Sequence, residues 1–290
     1  SSLSRDLGAF DGSIVHGASQ GCRAEGYRIA IVDLASEKRP NEAFTHFFAR
    51  IGRRAIVLRR LPGLDRMLDE LASEQFPHVV IADRFDRPDI AWIDTDSFTP
   101  SVVAVRHLIE MGHKRIAVGH YRRGGAAAQD RVRGHRRAHE EAGSEVDDRL
   151  VVDMGALLED GARVVDYLLS LPEPPTALYM THSMPSLGAL RRLLQRGIKV
   201  PEQFSLVGFD DCDTRVITHP MMTVVRQDSF DMAYRASRWL IRSFDEQDGE
   251  LLQETVPGMF EVSQTTSIAP DTPTRILPDG RIVIRGPVDE

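Results

Sequence analysis

Phe204-Ser205-Leu206-Val207-Gly208-Phe209-Asp210-Asp211 decides the reading of this chain. A short apolar strand runs into a glycine, an aromatic and two adjacent acids. In an open α/β sheet, ligands bind outside the carboxyl ends of the strands, so Asp210 and Asp211 fall where a small molecule would be held. An ionised carboxylate only accepts hydrogen bonds and suits hydroxyl or amine donors. Taken alone, the pair reads as a β-turn that uses Asp for local hydrogen bonds. The flanking sequence changes that reading.

Outward from this strand, helical and strand patterns alternate, as expected for parallel, doubly wound sheets. Helices are expected over 11–25, 41–50, 64–74 and 100–111, and strands over 27–32, 54–58, 78–82 and 115–119. Further on, helices are expected over 126–142, 160–171, 184–196 and 230–244. Strands are expected over 150–152, 177–180, 205–208 and 222–225, with a last return over 251–262. The tail alternates charged and apolar residues around Pro278-Asp279-Gly280, a hairpin signal.

Composition bounds the answer. At 290 residues the chain suits two lobes. No apolar run approaches 18 residues, so no membrane span is expected, and no basic-then-apolar leader is visible. Cys22 and Cys212 lie far apart and form no CxxC pair, which favours a reduced, cytoplasmic setting. The formal net charge of -7 argues against this stretch reading DNA by itself, because phosphate contacts need clustered Lys and Arg. HExxH, Gly-x-Ser-x-Gly and strand-following GxGxxG patterns are absent, so no catalytic residue, metal ligand or cofactor is assigned.

With its flanks the opening stretch reads Val200-Pro201-Glu202-Gln203 before it, and Pro220-Met221-Met222-Thr223-Val224-Val225-Arg226-Gln227-Asp228 after it. This resembles the effector-binding core of the lactose/galactose repressor family of bacterial transcription regulators. Other matches follow in the family's order: Gly26-Tyr27, Val79 to Arg84, His107 to Ala117, Arg131-Val132-Arg133-Gly134-His135 with Ala142-Gly143, and Ser186 to Leu190. They run from about Ser13 to Pro270. Each is weak alone, and the ordered set is specific.

The resemblance implies two parallel-sheet lobes of the periplasmic-binding-protein-like type, joined by a three-strand hinge around a closable cleft. Its boundaries would be 1–119 with 228–247 for a dimerising first lobe, 120–227 with 248–270 for the second, and 271–290 for a hairpin beyond the family's usual end. It implies a sugar-like effector in the cleft, a homodimer, and operator DNA contacted through a headpiece outside this chain. That headpiece, a hinge and a first strand would precede Ser1. The sheet and cleft equally suit a solute receptor for sugar transport, which would need a leader peptide, or less readily an enzyme.

The ligand-binding candidates are Leu3, Phe10, Asp96, Arg131, His182, Asp210 and Gln227. Arg131 matches the family's effector-binding arginine, whose fork bonds paired hydroxyls or a carboxylate; a surface helix arginine is the bland reading. Asp210 matches the ligand-binding acid, while Asp211 is read as capping the next turn. His182-Ser183 replaces the usual Asn-Asp. His182 reads either as a ligand contact whose charge responds to pH, or as a packed strand-end histidine. Gln227 reads as an amide contact or a hinge residue. Leu3 and Phe10 lie in the segment that follows strand one, where Phe10 either stacks on a ring or packs a helix start. Asp96 matches the family's Asp, but Ser97 replaces the Asn that usually follows.

Overall fold

The structure, a computed structural model, describes residues 9–59, 63–121, 124–209, 217–244 and 250–284. In chain order its elements are α1 (Ala9–Ala24), α2 (Leu34–Glu37), α3 (Phe44–Arg50), β1 (Ile56–Arg59), α4 (Leu64–Ser73), β2 (His78–Ile81), β3 (Trp92–Thr95), α5 (Phe98–Glu110) and β4 (Ile116–His120). Then come α6 (Ala126–Glu141), a 3-10 turn (Asp148–Leu150), β5 (Val151–Asp153), α7 (Leu158–Ser170), β6 (Ala177–Met180), α8 (Ser183–Gln195), β7 (Ser205–Phe209) and β8 (Thr223–Arg226). The last are α9 (Ser229–Arg242), β9 (Gln253–Val256), β10 (Met259–Glu261), β11 (Thr274–Ile276) and β12 (Ile282–Ile284).

The chain divides into two units. The first takes residues up to Thr95, Gly125–Ala127 and Asp228–Pro257; the second takes the rest. The first unit holds a four-stranded parallel sheet in the order β1-β2-β3-β9. Val79, Val80, Ile81 and Ile93 are fully buried, as expected for a parallel sheet covered on both faces. α1 lies against α9 at very close range. An added Cβ at Gly17 would stand 2.2 Å from the Phe230 carbonyl oxygen, and one at Gly21 2.5 Å from that of Tyr234.

The second unit holds six strands in the order β10-β8-β7-β6-β4-β5, parallel except for β10. One face is packed by α7 and α8, with Val165, Leu168, Leu193 and Leu206 fully buried. The other is packed by α5, whose Val105 and Leu108 join Val118, Tyr179 and Val207. β11 and β12 pair antiparallel about Gly280, whose φ is +82°. Ile276 of this hairpin packs against the α7–α8 core.

Four expectations are corrected. Residues 96–119 belong to the second unit, because β4 hydrogen-bonds between β5 and β6 and α5 follows it into that core. Of the expected 248–270 segment, residues 250–257 belong to the first, because β9 pairs in parallel with β3. Pro257-Gly258 separates it from β10, so the run 251–262 is two strands in two sheets. Residues 27–32 form no strand: the apolar run is present, yet no described strand stands beside it to share a ladder. An apolar run marks a place to bury; a strand also needs a hydrogen-bonding neighbour.

Candidate functional site

The carboxyl ends of β4, β6 and β7 lead into Tyr121, Thr181 and Phe209. Over these ends α6 carries Arg131. α6 can place a long side chain there because Gly134, one turn on, packs directly against α5: an added Cβ would stand 2.6 Å from Ser101 Cβ and 2.8 Å from the Phe98 carbonyl oxygen.

Arg131 is 7% exposed. Its guanidinium carbon lies 3.5 Å from the centre of the Phe209 ring, a stacked cation–π arrangement. Nη1 donates to the Thr181 carbonyl oxygen at 2.6 Å, and Nε reaches Ser97 Oγ at 3.5 Å. Thr181 is itself held by two bonds to the Gly119 carbonyl, from its N–H and from its hydroxyl, both at 3.0 Å. A buried cation is thus fixed in plane by an aromatic face and a carbonyl on adjacent strands. Such a group is preorganised for a donor-accepting ligand.

Beneath it, Ser101 Oγ donates to the Ser97 carbonyl at 2.6 Å and receives the Tyr179 hydroxyl at 2.6 Å. Tyr179 is fully buried and burial pushes its phenol pKa up, so it stays a donor. Tyr179→Phe is expected to cost about 1 kcal/mol, since Ser101 keeps its bond to Ser97. Urea denaturation with an unchanged midpoint would remove this bond from the support of α5.

His182 begins α8 and its carbonyl accepts from Ser186 N at 3.0 Å and Ser186 Oγ at 2.6 Å. Its half-buried ring meets Tyr121 edge-on, with centroids 5.7 Å apart. Burial first, and the Arg131 charge second, push its pKa down to about 3. The imidazole is therefore neutral at physiological pH. Asp96 Oδ1 accepts from Phe98 N and Thr99 N, both at 3.0 Å, and so starts α5. Gln227 follows β8, is 6% exposed, and its Oε1 is buried with no partner among the described residues.

Of the sequence candidates, the structure brings Arg131 and His182 together through Thr181, on the second unit. Phe10 lies in α1 of the first unit, half-buried. Leu3 and Asp210 lie outside the described residues. Sequence reasoning missed Phe209 and Thr181 as partners of Arg131. Phe209 stands in the opening stretch, and its place before Asp210 at a strand end was the available signal. Among the described residues no group of three His, Cys, Asp or Glu could hold a metal ion, and no helix is long and apolar enough to cross a membrane.

A parallel sheet with a fixed arginine at its strand ends is the arrangement in which open α/β sheets place small molecules. The family of periplasmic binding protein-like domains matches residues 105–266, more than half of the chain. The chain belongs to that family, as the effector-binding core of a regulator of the lactose/galactose repressor type. It is 27% identical over 243 residues to the HTH-type transcriptional repressor PurR of Haemophilus influenzae (strain PittEE), covering 81% of this chain and 70% of that protein. It is 28% identical over 235 residues to the HTH-type transcriptional repressor CytR of Escherichia coli (strain K12), covering 80% and 68%. Among solved structures, the transcriptional regulator CelR in complex with cellobiose superposes with a TM-score of 0.79 at 25% identity, covering 90% of this chain and 81% of that one.

Proposed function

We propose that this chain senses a sugar or sugar derivative in the cytoplasm and passes binding on to operator DNA through a headpiece carried elsewhere in a dimeric protein, without catalysing a reaction on the ligand. Arg131 is the observation that carries this reading. A buried fork stacked on Phe209 suits vicinal hydroxyls, which accept from it and present an apolar ring face beside it. The cellobiose of the CelR complex supports the choice of a carbohydrate. The effector favours one of two states of the regulator by its differential affinity, and DNA affinity follows by linkage.

The test is a thermal-shift screen of mono- and disaccharides, sugar phosphates, polyols and nucleobases, followed by calorimetric titration of hits. A ligand at 100 times its Kd stabilises by about 2.7 kcal/mol. Arg131→Lys keeps the charge but loses the fork and the flat stack, and is expected to weaken binding roughly 10- to 100-fold. Gln227→Met, which removes an acceptor that lacks a protein partner among the described residues, is expected to weaken binding while stability changes by less than about 1 kcal/mol. Hits confined to nucleobases would overturn the carbohydrate assignment. Affinity unchanged in both variants would remove these residues from the site.

A further inference from the structure

A cavity of about 580 Å³ opens in the first unit at the amino ends of its strands, and shares no residue with the Arg131 group. His78 begins β2 there, and Ala91 and Leu251 lie just ahead of β3 and β9. Two helices end on it. α4 stops where Gln75 takes a left-handed φ of 51°, with its last carbonyls turned back onto Gln75 N and Phe76 N. α9 supplies Trp239 and Leu240 from its last turn, and Ser243 caps its end there. Helix carboxyl ends carry partial negative charge.

The side chains add to that sign. Arg87 is the lining cation, and two lining carboxylates share it: Asp69 accepts from its Nη1 at 2.5 Å, Asp89 from its Nη2 at 2.6 Å and its Nε at 3.1 Å. A carboxylate has about four acceptor positions, so both acids keep capacity beyond what Arg87 takes. His78 is 9% exposed, and its Nδ1 is engaged with the Phe76 carbonyl at 2.7 Å, which makes Nε2 an acceptor. That Nε2 is buried without a partner among the described residues. Burial lowers the His78 pKa, so the ring adds no positive charge. The Trp239 indole, held by its Nε1–H on the Glu250 carbonyl at 3.2 Å, supplies an aromatic face.

We propose that this cavity is a second ligand site, for a small organic cation of the aliphatic diamine or polyamine class. Ammonium groups are donor-only and match the Asp69 and Asp89 carboxylates, which leave one net negative charge beside Arg87 among the described lining residues. The methylene stem matches Leu71, Phe76 and Leu240, and the indole favours a cation over its face. An anion is disfavoured by both the acids and the helix ends. A bare metal ion is disfavoured because no three-ligand group exists among the described residues.

The experiment is calorimetric titration of the purified chain with putrescine and spermidine at about 0.15 M salt. The expected result is saturable single-site binding. Asp89→Asn is expected to weaken it roughly tenfold or more, and Trp239→Leu roughly 3- to 30-fold. Arg131→Lys leaves it unchanged, which separates this site from effector binding. If Asp89→Asn does not fold, Asp69→Asn at the more exposed rim replaces it. Absence of saturable heat overturns the proposal. So does equal competition by Mg²⁺, which marks general counter-ion attraction, or tighter binding of a lysine-rich peptide than of either amine, which marks a protein partner.

Discussion

Gly188→Ala is expected to lower the unfolding free energy by about 3 kcal/mol, although in an exposed helix the same change gains about 1 kcal/mol. The reversal comes from the crossing of α7 and α8. A Cβ at Gly188 would stand 1.8 Å from the Leu158 carbonyl oxygen, and one at Gly161 1.9 Å from that of Pro185. Each helix thus uses a glycine to admit the other's backbone. Neither carbonyl can step aside as a flexible side chain would. The surrounding Leu168, Leu190 and Leu193 are packed without slack. Urea denaturation checks this: a midpoint at or above that of the wild type would mean the two helices do not approach as closely as described.

Acid is expected to destabilise the protein well before carboxylates titrate. His135 is fully buried; its Nε2 is bonded to the Ile116 carbonyl at 3.0 Å, and its Nδ1 has no partner among the described residues. Burial first, then the neighbouring His139 ring 4.8 Å away, push its pKa down to about 3; the Arg136 charge adds to this. Burial lowers His139, His113, His107 and His78 as well. In the unfolded chain a histidine takes its proton near pH 6.5. Between that value and the depressed folded one, the unfolded state binds more protons, so stability falls as pH falls. His135 alone is expected to contribute a loss of about 2 kcal/mol between pH 6.5 and pH 5. His135→Gln keeps a donor for Ile116 and is expected to flatten the slope in that window. Denaturation midpoints measured from pH 7.5 to 5 decide it, and a wild-type slope near zero would sink the assignment of neutral buried histidines.

Much of the fold was legible in the sequence because its signals are local. Val79-Val80-Ile81 and Ala177 to Met180 are apolar runs bounded by turns, and both are fully buried strands. The hairpin around Pro278-Asp279-Gly280 was equally plain, since a turn residue sets its own backbone. Arg131 was singled out through the motif that contains it, and the structure buries it against Phe209.

What stayed hidden depends on partners distant in the chain. Residues 27–32 have a strand's pattern and lack a strand's neighbour. His182 reads as a titratable group until its burial and the Arg131 charge are known, and both come from other elements. Asp96 was read toward a ligand, and its second role, Oδ1 starting α5, shows only in the folded chain.

By itself, the sequence determined that strands and helices alternate, where the strand before Asp210 ends, and which family the chain belongs to. Those properties follow from periodicity and from short motifs. Tertiary structure decided the rest: that residues 96–119 join the second unit, that Phe209 and Thr181 hold Arg131, and that burial lowers the pKa of the core histidines. The physical reason is the same in each case. Strand pairing, desolvation and the seating of a charge are set by groups that meet only after the chain has folded.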